Sequence, residues 1–426
     1  MLALLIYSDR AVKKMRELHE SGIEWIGAIP SDWSVGRIGG LYSLRNQKVS
    51  DIDFQPLSVT NKGIVPQLET AAKSNAHDDR KLVRVGDFAI NSRSDRRGSC
   101  GISAYEGSVS LINTILSPNG EMNPRYYDWL FHTVQFGDEF YRWGHGIVDD
   151  LWTTGWQDMK RIIIPIPSVD EQEKIASFLD KKCAEIDLIV SDLQSQIDAI
   201  EQHKRSLITE TVTKGLHDVE LIDSGIDWVG QMPQTWISIP NKYLMYKVKN
   251  ICPVYDGEDI LSLTTNGVIV RDLDAGGKMP TSFDGYQRIK PGNLLMCLFD
   301  IDVTPRCIGL IKNHGLTSPA YSQFVMKEGA YAPYYYYYYL MVDYTKELLH
   351  MAKNLRHSLT EDQLGAIKAP KPPYDEQVEI ANYLDAKCEE INAIIGEKAL
   401  QLETLEEYKK SFIFEYVTGK KEVPST

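Results

Sequence analysis

The strongest constraint on this chain is that one unit occurs twice along it. The segment SGIEWIGAIPSDW at 21–33 returns as SGIDWVGQMPQTW at 224–236, and PIPSVDEQEKIASFLDKKCAEID at 165–187 returns as PKPPYDEQVEIANYLDAKCEEIN at 370–392. Between them LSVTNKG, which starts at Leu57, returns as LSLTTNG, and the offset stays between 203 and 205 residues. Because order and spacing are both kept, the chain is expected to contain two copies of one structural unit.

Each copy follows the same plan. A Trp-containing, Gly/Pro-punctuated entry leads into short β-branched runs separated by turn residues, then a more helical stretch, and finally a long helix. The predicted fold class is α+β, with two repeated globular domains joined by two long helices. The predicted boundaries are 1–20 for an N-terminal extension, 21–168 for the first globular domain, 169–220 for a central helix, 221–372 for the second globular domain and 373–426 for a C-terminal helix.

The two long helices carry apolar residues at alternating spacings of three and four. Such spacing predicts the seam of a coiled coil. The residues expected at this seam are Ile186, Val190, Leu193, Ile197, Ile200 and Leu207 in the first helix and Ile391, Ile395, Leu402, Leu405 and Phe412 in the second. If the two helices pair in antiparallel orientation, each apolar stripe would be buried against the other. Asp170 and Asp375 are predicted to cap the helices, with Glu173 completing a capping box in the first.

Net charge appears at first to argue against a nucleic-acid partner, because it is −13. Most of that charge lies in the helices: residues 170–220 contain 12 acidic and 6 basic residues, and residues 375–426 contain the same numbers. Residues 61–100, in contrast, contain 8 basic and 5 acidic residues. The globular domains therefore remain compatible with DNA.

Composition and cysteine use favour a globular protein of the cytoplasm. Hydrophobic residues make up 43% and charged residues 25% of the 426 residues. No apolar run is long enough for a bilayer, and the start MLALLIYSDR lacks the basic leading region of a secretion signal. The six cysteines form no CxxC pair, so reduced, packed thiols are expected.

The entry motif SGIEWIG-x-IP-x-x-W, the segment PIP-x-x-x-EQ-x-x-IA-x-x-LD and the heptad helix that follows resemble the specificity subunits of type I restriction–modification systems. The resemblance extends from Ser21 to about Gly419 and occurs twice in the expected order. It implies that each globular domain is a target-recognition domain that binds one half of a split, asymmetric DNA sequence. The helices would set the unread gap and dock two methyltransferase subunits, which restriction (translocase) subunits join.

The resemblance further implies a non-catalytic subunit of a bacterial or archaeal, nucleoid-associated complex. S-adenosylmethionine, ATP and Mg²⁺ are then expected in the partner subunits and no cofactor or metal in this chain, and no membrane contact is expected. The residues agree with this view. Adenine methylation needs an Asn/Asp-Pro-Pro-aromatic loop, and the two nearest matches, at 123–126 and 371–374, each lack part of it. No phosphate-binding G-x-x-x-x-G-K-[ST] loop occurs.

Candidate DNA-binding residues of the first domain lie in two loops. The loop at 91–99 is basic and rich in hydroxyl groups, and Ser92, Arg93, Ser94, Arg96 and Arg97 could contact guanine edges or phosphates. A solvated surface loop with an internal ion pair to Asp95 is the alternative interpretation. The turn with Thr60, Asn61 and Lys62 is the second candidate, for which simple hairpin geometry is an equally good explanation.

The corresponding candidates in the second domain are Thr265 and Asn266 in the repeated turn, and Asp302, Thr304 and Arg306 in a much less basic loop. This divergence suits two domains that bind different sequences. Trp33 and Trp236 belong to the repeated entry motif, so core packing is favoured over base stacking. The tyrosine run 334–339 is predicted to form a helix with both buried and exposed rings.

A second class of function remains open: a coiled-coil adaptor that binds proteins through both helices and globular domains, without sequence-specific DNA binding. The arginine loop and its dissimilar counterpart favour DNA. Steep salt dependence of binding would distinguish the two, because phosphate contacts release counterions.

Overall fold

The computed structural model describes residues 16–67, 77–93, 96–146, 152–274, 280–352 and 357–424. Contacts divide the chain into two units, Met1–Leu193 with Leu400–Thr426 and Gln194–Ala399. Each unit contains one globular repeat and parts of both long helices. The mixture of helices and strands predicted from the sequence is confirmed.

The first unit contains thirteen short strands among its described residues: β1 Leu18–Glu20, β2 Ala28–Pro30, β3 Ser34–Arg37, β4 Tyr42–Leu44, β5 Lys48–Val49, β6 Leu57–Thr60, β7 Gly63–Pro66, β8 Arg80–Val83, β9 Phe88–Asn91, β10 Cys100–Ile102, β11 Gly107–Ser110, β12 Asn113–Pro118 and β13 Ile163–Ile166. Its helices are α1 Ile38–Leu41, α2 Pro124–Phe131, α3 Val134–Arg142, α4 Trp156–Met159 and the first part of the long α5, Val169–Lys214. The largest sheet is antiparallel, in the order β10-β9-β12-β4.

The second unit repeats this arrangement. Its strands are β14 Leu221–Asp223, β15 Gln231–Pro233, β16 Ile237–Pro240, β17 Met245–Val248, β18 Leu261–Thr264, β19 Gly267–Val270, β20 Gln287–Ile289, β21 Leu294–Met296, β22 Ile308–Leu310, β23 Gly315–Thr317, β24 Ser322–Met326 and β25 Lys368–Lys371. Its helices are α6 Ala332–Tyr344, α7 Glu361–Ala366 and most of the long α8, Tyr374–Val417, with 3₁₀ turns at Asn241–Tyr243 and Glu347–Met351. The order β17-β24-β21-β22 is the counterpart of the sheet in the first unit.

The entry tryptophan of each unit is bound to the start of a long helix. In the first unit the indole N–H of Trp33 donates to Glu171 Oε2 at 2.8 Å. In the second, Trp236 donates to Glu376 Oε2 at 2.9 Å. Both tryptophans are buried, so the expectation of core packing agrees with the structure.

A buried glutamine one position further along each helix fixes the chain around it. The amide of Gln172 donates to the carbonyl of Pro167 at 2.9 Å, and its oxygen accepts from the backbone N–H of Asn123 at 2.8 Å. Gln377 makes the same pair of bonds, donating to Pro372 at 2.8 Å and accepting from the N–H of Tyr331 at 2.8 Å. These glutamines couple the helix start to the loop that precedes α2 or α6.

The end of a long helix contributes to each core. Phe412, Tyr416 and Val417, from the last turns of α8, pack among the buried aromatic residues of the first unit. Ile208 and Val212, from the last turns of α5, pack in the core of the second unit. The repeat predicted from the sequence therefore has a discontinuous first unit, which the sequence boundaries at 168 and 372 did not anticipate.

Within each unit, the segments of α5 and α8 run antiparallel. In the first unit Phe178 contacts Tyr416 with ring centroids 4.8 Å apart, and Lys409 Nζ donates to Asp187 at 2.5 Å. In the second unit Lys398 Nζ donates to Gln196 Oε1 at 2.5 Å, and Lys204 Nζ to Asn392 Oδ1 at 2.6 Å. In both units, the residues of α8 that contact α5 decrease in number as the residue number on α5 increases.

Three predictions about the helix starts are wrong. Helix α5 begins at Val169, and Ser168 Oγ accepts from the N–H of Glu171 at 3.3 Å, so Asp170 lies in the first turn and is not the cap. Helix α8 begins at Tyr374, which likewise places Asp375 inside the helix. Glu173 does not close a capping box, because it accepts instead from Asn123 Nδ2 and, at 3.1 Å, from Ser177 Oγ.

The tyrosine run also differs from its prediction. The run does form a helix, α6, but five of the six rings at 334–339 are buried and Tyr336 is half-buried, so none is exposed. Helix α6 lies in the core of its unit, where the phenol groups reach internal partners; Tyr337 donates to Asp385 at 2.6 Å. Residues 16–20, assigned to the predicted extension, belong to the fold as strand β1 and Arg16, whereas residues 1–15 lie outside the described part.

Candidate nucleic-acid interface

The repeated turns are hairpins that connect β6 to β7 and β18 to β19. Thr60 Oγ1 donates to the carbonyl of Gly63 at 2.9 Å and accepts from the N–H of Lys62 at 3.1 Å. Gly63 has a φ of 97°, a conformation that favours glycine. Thr60 is thus occupied by the turn itself, while Asn61 and Lys62 are exposed at its tip.

The second hairpin repeats these bonds. Thr264 Oγ1 donates to the carbonyl of Gly267 at 3.0 Å and accepts from the N–H of Asn266 at 3.2 Å. Thr265 and Asn266 are exposed at the tip. Hairpin geometry therefore accounts for the recurrence of the threonine, whereas the two tip residues of each turn differ between the units and face solvent.

The arginine loop follows strand β9 of the first unit. Ser92 Oγ lies 3.0 Å from Thr114 Oγ1, and the N–H of Arg93 donates to Asn91 Oδ1 at 3.0 Å. Arg93 also forms an isolated β-bridge with Thr153. Ser94 and Asp95 lie outside the described residues, and so does the alternative ion pair to Asp95. The backbone on the N-terminal side of the loop is fixed by these contacts.

On the C-terminal side of the loop, Arg97 is held by two residues of α3. Its Nη1 donates to Asp138 Oδ1 at 2.9 Å, and its guanidinium carbon lies 4.0 Å from the centroid of the Tyr141 ring. Tyr141 in turn contacts Trp152 with centroids 5.6 Å apart. The structure thus joins the basic loop to a tilted pair of aromatic rings.

These groups line one cleft in the first unit. Its lining includes Ser92, Arg93, Arg96 and Arg97 together with aromatic rings that include Phe136, Phe140, Tyr141 and Trp152. Four of the five candidates from the arginine loop therefore lie together, while the hairpin tip with Asn61 and Lys62 does not line this cleft. Asp138, Tyr141 and Trp152 were missed in the sequence. Trp152 did stand in an unrepeated stretch, which was the one available signal.

The candidate loop of the second unit has a different chemistry. Asp302 Oδ2 lies 2.8 Å from Nδ1 of His357, and this hydrogen bond is the main cause that lowers the pKa of Asp302. The backbone carbonyl of Thr304 accepts from Lys346 Nζ at 2.7 Å, and Thr304 is half-buried. At neutral pH Asp302 therefore presents an ionised acceptor, where the first unit presents arginines.

Arg306 lines a groove in the second unit, and Asp302 is not among the residues that line it. The same groove is lined by Thr265 and Asn266 at the hairpin tip, and by the basic residues Lys204 and Lys312. Burial raises the pKa of the adjacent Tyr336, an effect that the positive charge of Arg306 opposes. The structure thus brings three of the five candidates of this unit together. Lys204 and Lys312 were not anticipated.

The predicted seam residues are all buried or half-buried. In the first unit Ile186, Leu193 and Leu405 form a cluster on which Val190 and Leu402 pack, and Phe412 lies in the main core. The seam residues in the second unit are Ile197, Ile200, Leu207, Ile391 and Ile395. On the same helices, Leu188 and Leu400 expose 72% and 62% of their surface.

The described residues contain neither a metal-binding cluster nor a membrane-spanning helix. No group of three or more His, Cys, Asp or Glu side chains there could hold a metal ion. No described helix combines the length and apolar character needed to cross a bilayer. The six cysteines are buried and unpaired.

Comparison with known proteins gives consistent matches. A family model described as the type I restriction modification DNA specificity domain matches residues 30–199. A curated relative in Methanocaldococcus jannaschii, named "Putative type I restriction enzyme MjaX specificity subunit", is 22% identical over 437 residues, which cover 93% of this chain and 95% of the relative. A chain from a structure of the type I R-M system, solved for its complex assembly and conformational transition, has the same fold, with a TM-score of 0.70 and 13% identity over 92% of this chain and 99% of that chain.

Proposed function

Because the chain belongs to the family of type I restriction–modification specificity subunits, whose role is DNA recognition, we propose that its two units bind the two halves of one split DNA sequence. Each unit would recognise one half-site. The observation that carries this proposal is a scaffold that is repeated in both units, with loops that differ between them. The Trp33–Glu171 and Gln172–Pro167 bonds recur in the second unit, yet the loop after β9 and the loop after β21 differ in charge.

The chemistry of these loops matches base edges. In the major groove guanine offers two acceptors, O6 and N7, which suit arginine, whereas the amino group of cytosine is a donor that suits a carboxylate. The first unit offers Arg93, Arg96 and Arg97, and the second offers Asp302. The exposed hairpin tips, which contain Asn61 and Asn266, are suited to additional base or phosphate contacts. Two units with such different side chains would specify different half-sites.

The long helices would act as the spacer. Antiparallel pairing within each unit supports a single antiparallel coiled coil formed by α5 and α8, whose length would fix the unread gap. Helix α5 has 46 residues, which corresponds to about 69 Å at 1.5 Å per residue. This length is about two turns of B-DNA at roughly 35 Å per turn.

The same helices would dock the catalytic partners. Leu188 and Leu400 are large apolar side chains that are exposed on these helices. We infer that two methyltransferase subunits bind there and that restriction subunits complete the complex. S-adenosylmethionine, ATP and Mg²⁺ would be bound by these partners, and this chain would supply recognition without catalysis.

The test is methylome sequencing of a host that expresses this chain with the methyltransferase subunit encoded beside it. A matched strain lacks this chain only. A motif with two specified halves and a fixed gap should be methylated in the first strain and unmethylated in the second. If the methyltransferase is active and the methylation pattern is the same in both strains, the chain does not direct modification and the adaptor function replaces this proposal.

A further inference from the structure

Arg97 differs from the other basic residues of the first unit in how it is held. Its side chain lines the cleft and is 50% exposed, yet two residues of one helix fix its guanidinium. Asp138 binds Nη1 at 2.9 Å, and Tyr141 covers one face of the group at 4.0 Å. Asp138 and Tyr141 are three residues apart on α3, so they lie on the same side of that helix.

This arrangement leaves one edge of the guanidinium available. A guanidinium has five N–H donors, and the Nε/Nη2 edge carries two that are parallel. Within the described ranges, Asp138 is the hydrogen-bond acceptor of Arg97, and the bond uses Nη1. The Nε/Nη2 edge is therefore not occupied by any described residue. Two parallel donors match the O6 and N7 acceptors that guanine presents in the major groove.

Asp138 also makes a phosphate contact unfavourable for Arg97. The carboxylate cancels the charge of the guanidinium and would repel a phosphate group placed beside it. In contrast, it does not interfere with a neutral base edge. An arginine side chain without such contacts loses conformational entropy when it binds a base. The contacts with Asp138 and Tyr141 reduce that loss, because they order the Arg97 side chain before DNA binds.

We propose that Arg97 recognises a guanine in the half-site bound by the first unit, with Asp138 and Tyr141 as positioning residues. This inference rests on the proposed function. It assigns a base to one side chain of one unit, whereas the corresponding loop of the second unit contains Asp302, which is paired with the distant His357. The two halves of the recognised sequence are then expected to differ at this position.

The experiment is methylome sequencing with the neighbouring methyltransferase subunit and an Arg97→Lys variant, which keeps the charge and removes the two-donor edge. The preference for guanine at one position of one half-site should fall roughly 5- to 150-fold. The other half-site and the gap should be unchanged. Arg142→Lys is the matched control, since Arg142 is similarly exposed and paired with Glu24 and Glu139, and it should leave the motif intact.

Asp138→Asn tests the positioning role. This variant should weaken the base preference at the same single position as Arg97→Lys does. Asp138→Glu, which keeps the carboxylate, should retain part of that preference. Thermal unfolding of each variant separates this effect from loss of fold. Once the position is known, the guanine there can be replaced by 7-deazaguanine, which lacks the N7 acceptor. This replacement should weaken binding of the duplex by the natural chain, whereas the Arg97→Ala variant should bind both duplexes equally.

The possible failures are distinct. An unchanged motif in Arg97→Lys overturns the assignment of guanine to Arg97. A uniform decline of methylation at all sites, with every base preference kept, would mean a phosphate contact and also overturns it. If no methylation depends on the natural chain at all, the proposed function itself has failed.

Discussion

The hydroxyl group of Tyr126 donates a hydrogen bond of 2.6 Å to the backbone carbonyl of Val417, 291 residues further along the chain. Tyr334 makes the corresponding bond in the second unit, donating to the carbonyl of Val212 at 3.0 Å. In each unit the first tyrosine of the helix that follows the sheet thus secures the last turn of a long helix. The bond satisfies a carbonyl that the helix itself leaves without a partner.

Replacement of either tyrosine by phenylalanine should therefore free the helix end that it holds. We expect Tyr126→Phe to lower the free energy of unfolding by about 1–3 kcal/mol, because a buried carbonyl loses its donor. Tyr334→Phe should have a similar effect on its own unit. Hydrogen exchange is the measurement: the amides near Val417 should exchange faster only in the first variant, and those near Val212 only in the second.

Tyr105 provides the control for these variants. Its ring is 43% exposed, so Tyr105→Phe should change neither the unfolding free energy nor exchange at the helix ends. Equal acceleration at both helix ends in both variants would contradict the local role of these bonds.

Substitution of the buried glutamines Gln172 and Gln377 is expected to be strongly destabilising. Gln377→Leu removes the acceptor of the Tyr331 N–H and the two N–H donors to the carbonyls of Pro372 and Gly329, so unfolding should become easier by at least about 2 kcal/mol. The effect should appear as a lower midpoint in thermal or urea unfolding. Gln157→Leu, at an exposed position, is the control. A similar loss of stability in that variant would contradict the role of the buried hydrogen bonds of Gln377.

Much of this organisation could be predicted from the sequence, because repetition and heptad spacing are properties of residue order. The repeat boundaries near Ser21 and Ser224, the long helices and their apolar seams all follow from such patterns. Local capping was predicted less well. Ser168 takes the cap at α5 because the helix begins two residues earlier than a cap at Asp170 requires.

What the sequence could not indicate is which distant residues meet. The composition of α3 alone does not show that Asp138 and Tyr141 hold Arg97, because a loop and a helix about 40 residues apart come together only through tertiary packing. The pairing of Asp302 with His357 is of the same kind. The burial of Tyr337 was also hidden, since a tyrosine-rich helix has no polar face that would distinguish core from surface.

The buried tyrosines of α6 should make stability decrease at alkaline pH. Burial raises the pKa of Tyr334, Tyr335, Tyr338 and Tyr339, so the folded state keeps these phenols neutral. Their contribution to stability is complete below pH about 10, the ordinary tyrosine value, and is lost as pH rises above it. Tyrosinate absorbance and loss of helical circular dichroism should therefore appear together.

Removal of one such phenol should reduce this pH dependence. In Tyr335→Phe the slope of unfolding free energy against pH should fall by up to about 1.4 kcal/mol per pH unit above pH 10, which corresponds to one proton. Urea unfolding at a series of pH values measures it. An unchanged slope would mean that Tyr335 ionises in the folded chain.

The cysteines are expected to resist thiol reagents while the chain is folded. Burial raises the pKa of Cys183 and of Cys307 to about 12, so almost no reactive thiolate exists at pH 8. Reaction with Ellman's reagent should be more than about 100-fold slower than in denaturant. Ser110→Cys, at an exposed position, should add one rapidly reacting thiol. Rapid reaction of the natural chain would indicate that these sites open readily.

The length of the paired helices should set the gap of the recognised sequence. Seven residues removed from α5 within 191–204, together with seven from the facing stretch of α8, shorten the pair by about 10 Å, or about three base pairs. We expect both half-sites to be kept and the gap to shrink accordingly, as read by methylome sequencing. Gln194→Ala, which keeps the length, is the control. An unchanged gap would reject the helices as the spacer.

The discontinuity of the first unit has a consequence for how the chain matures on the ribosome. Residues 194–399 form their unit from one uninterrupted stretch, whereas the first unit needs residues from Leu400 onward. At a synthesis rate of about 5–20 residues per second, the nascent N-terminal half waits roughly 10–40 s for its missing helix end. The part translated first is thus the part finished last, and its uncovered aromatic core during that interval is a natural substrate for chaperones.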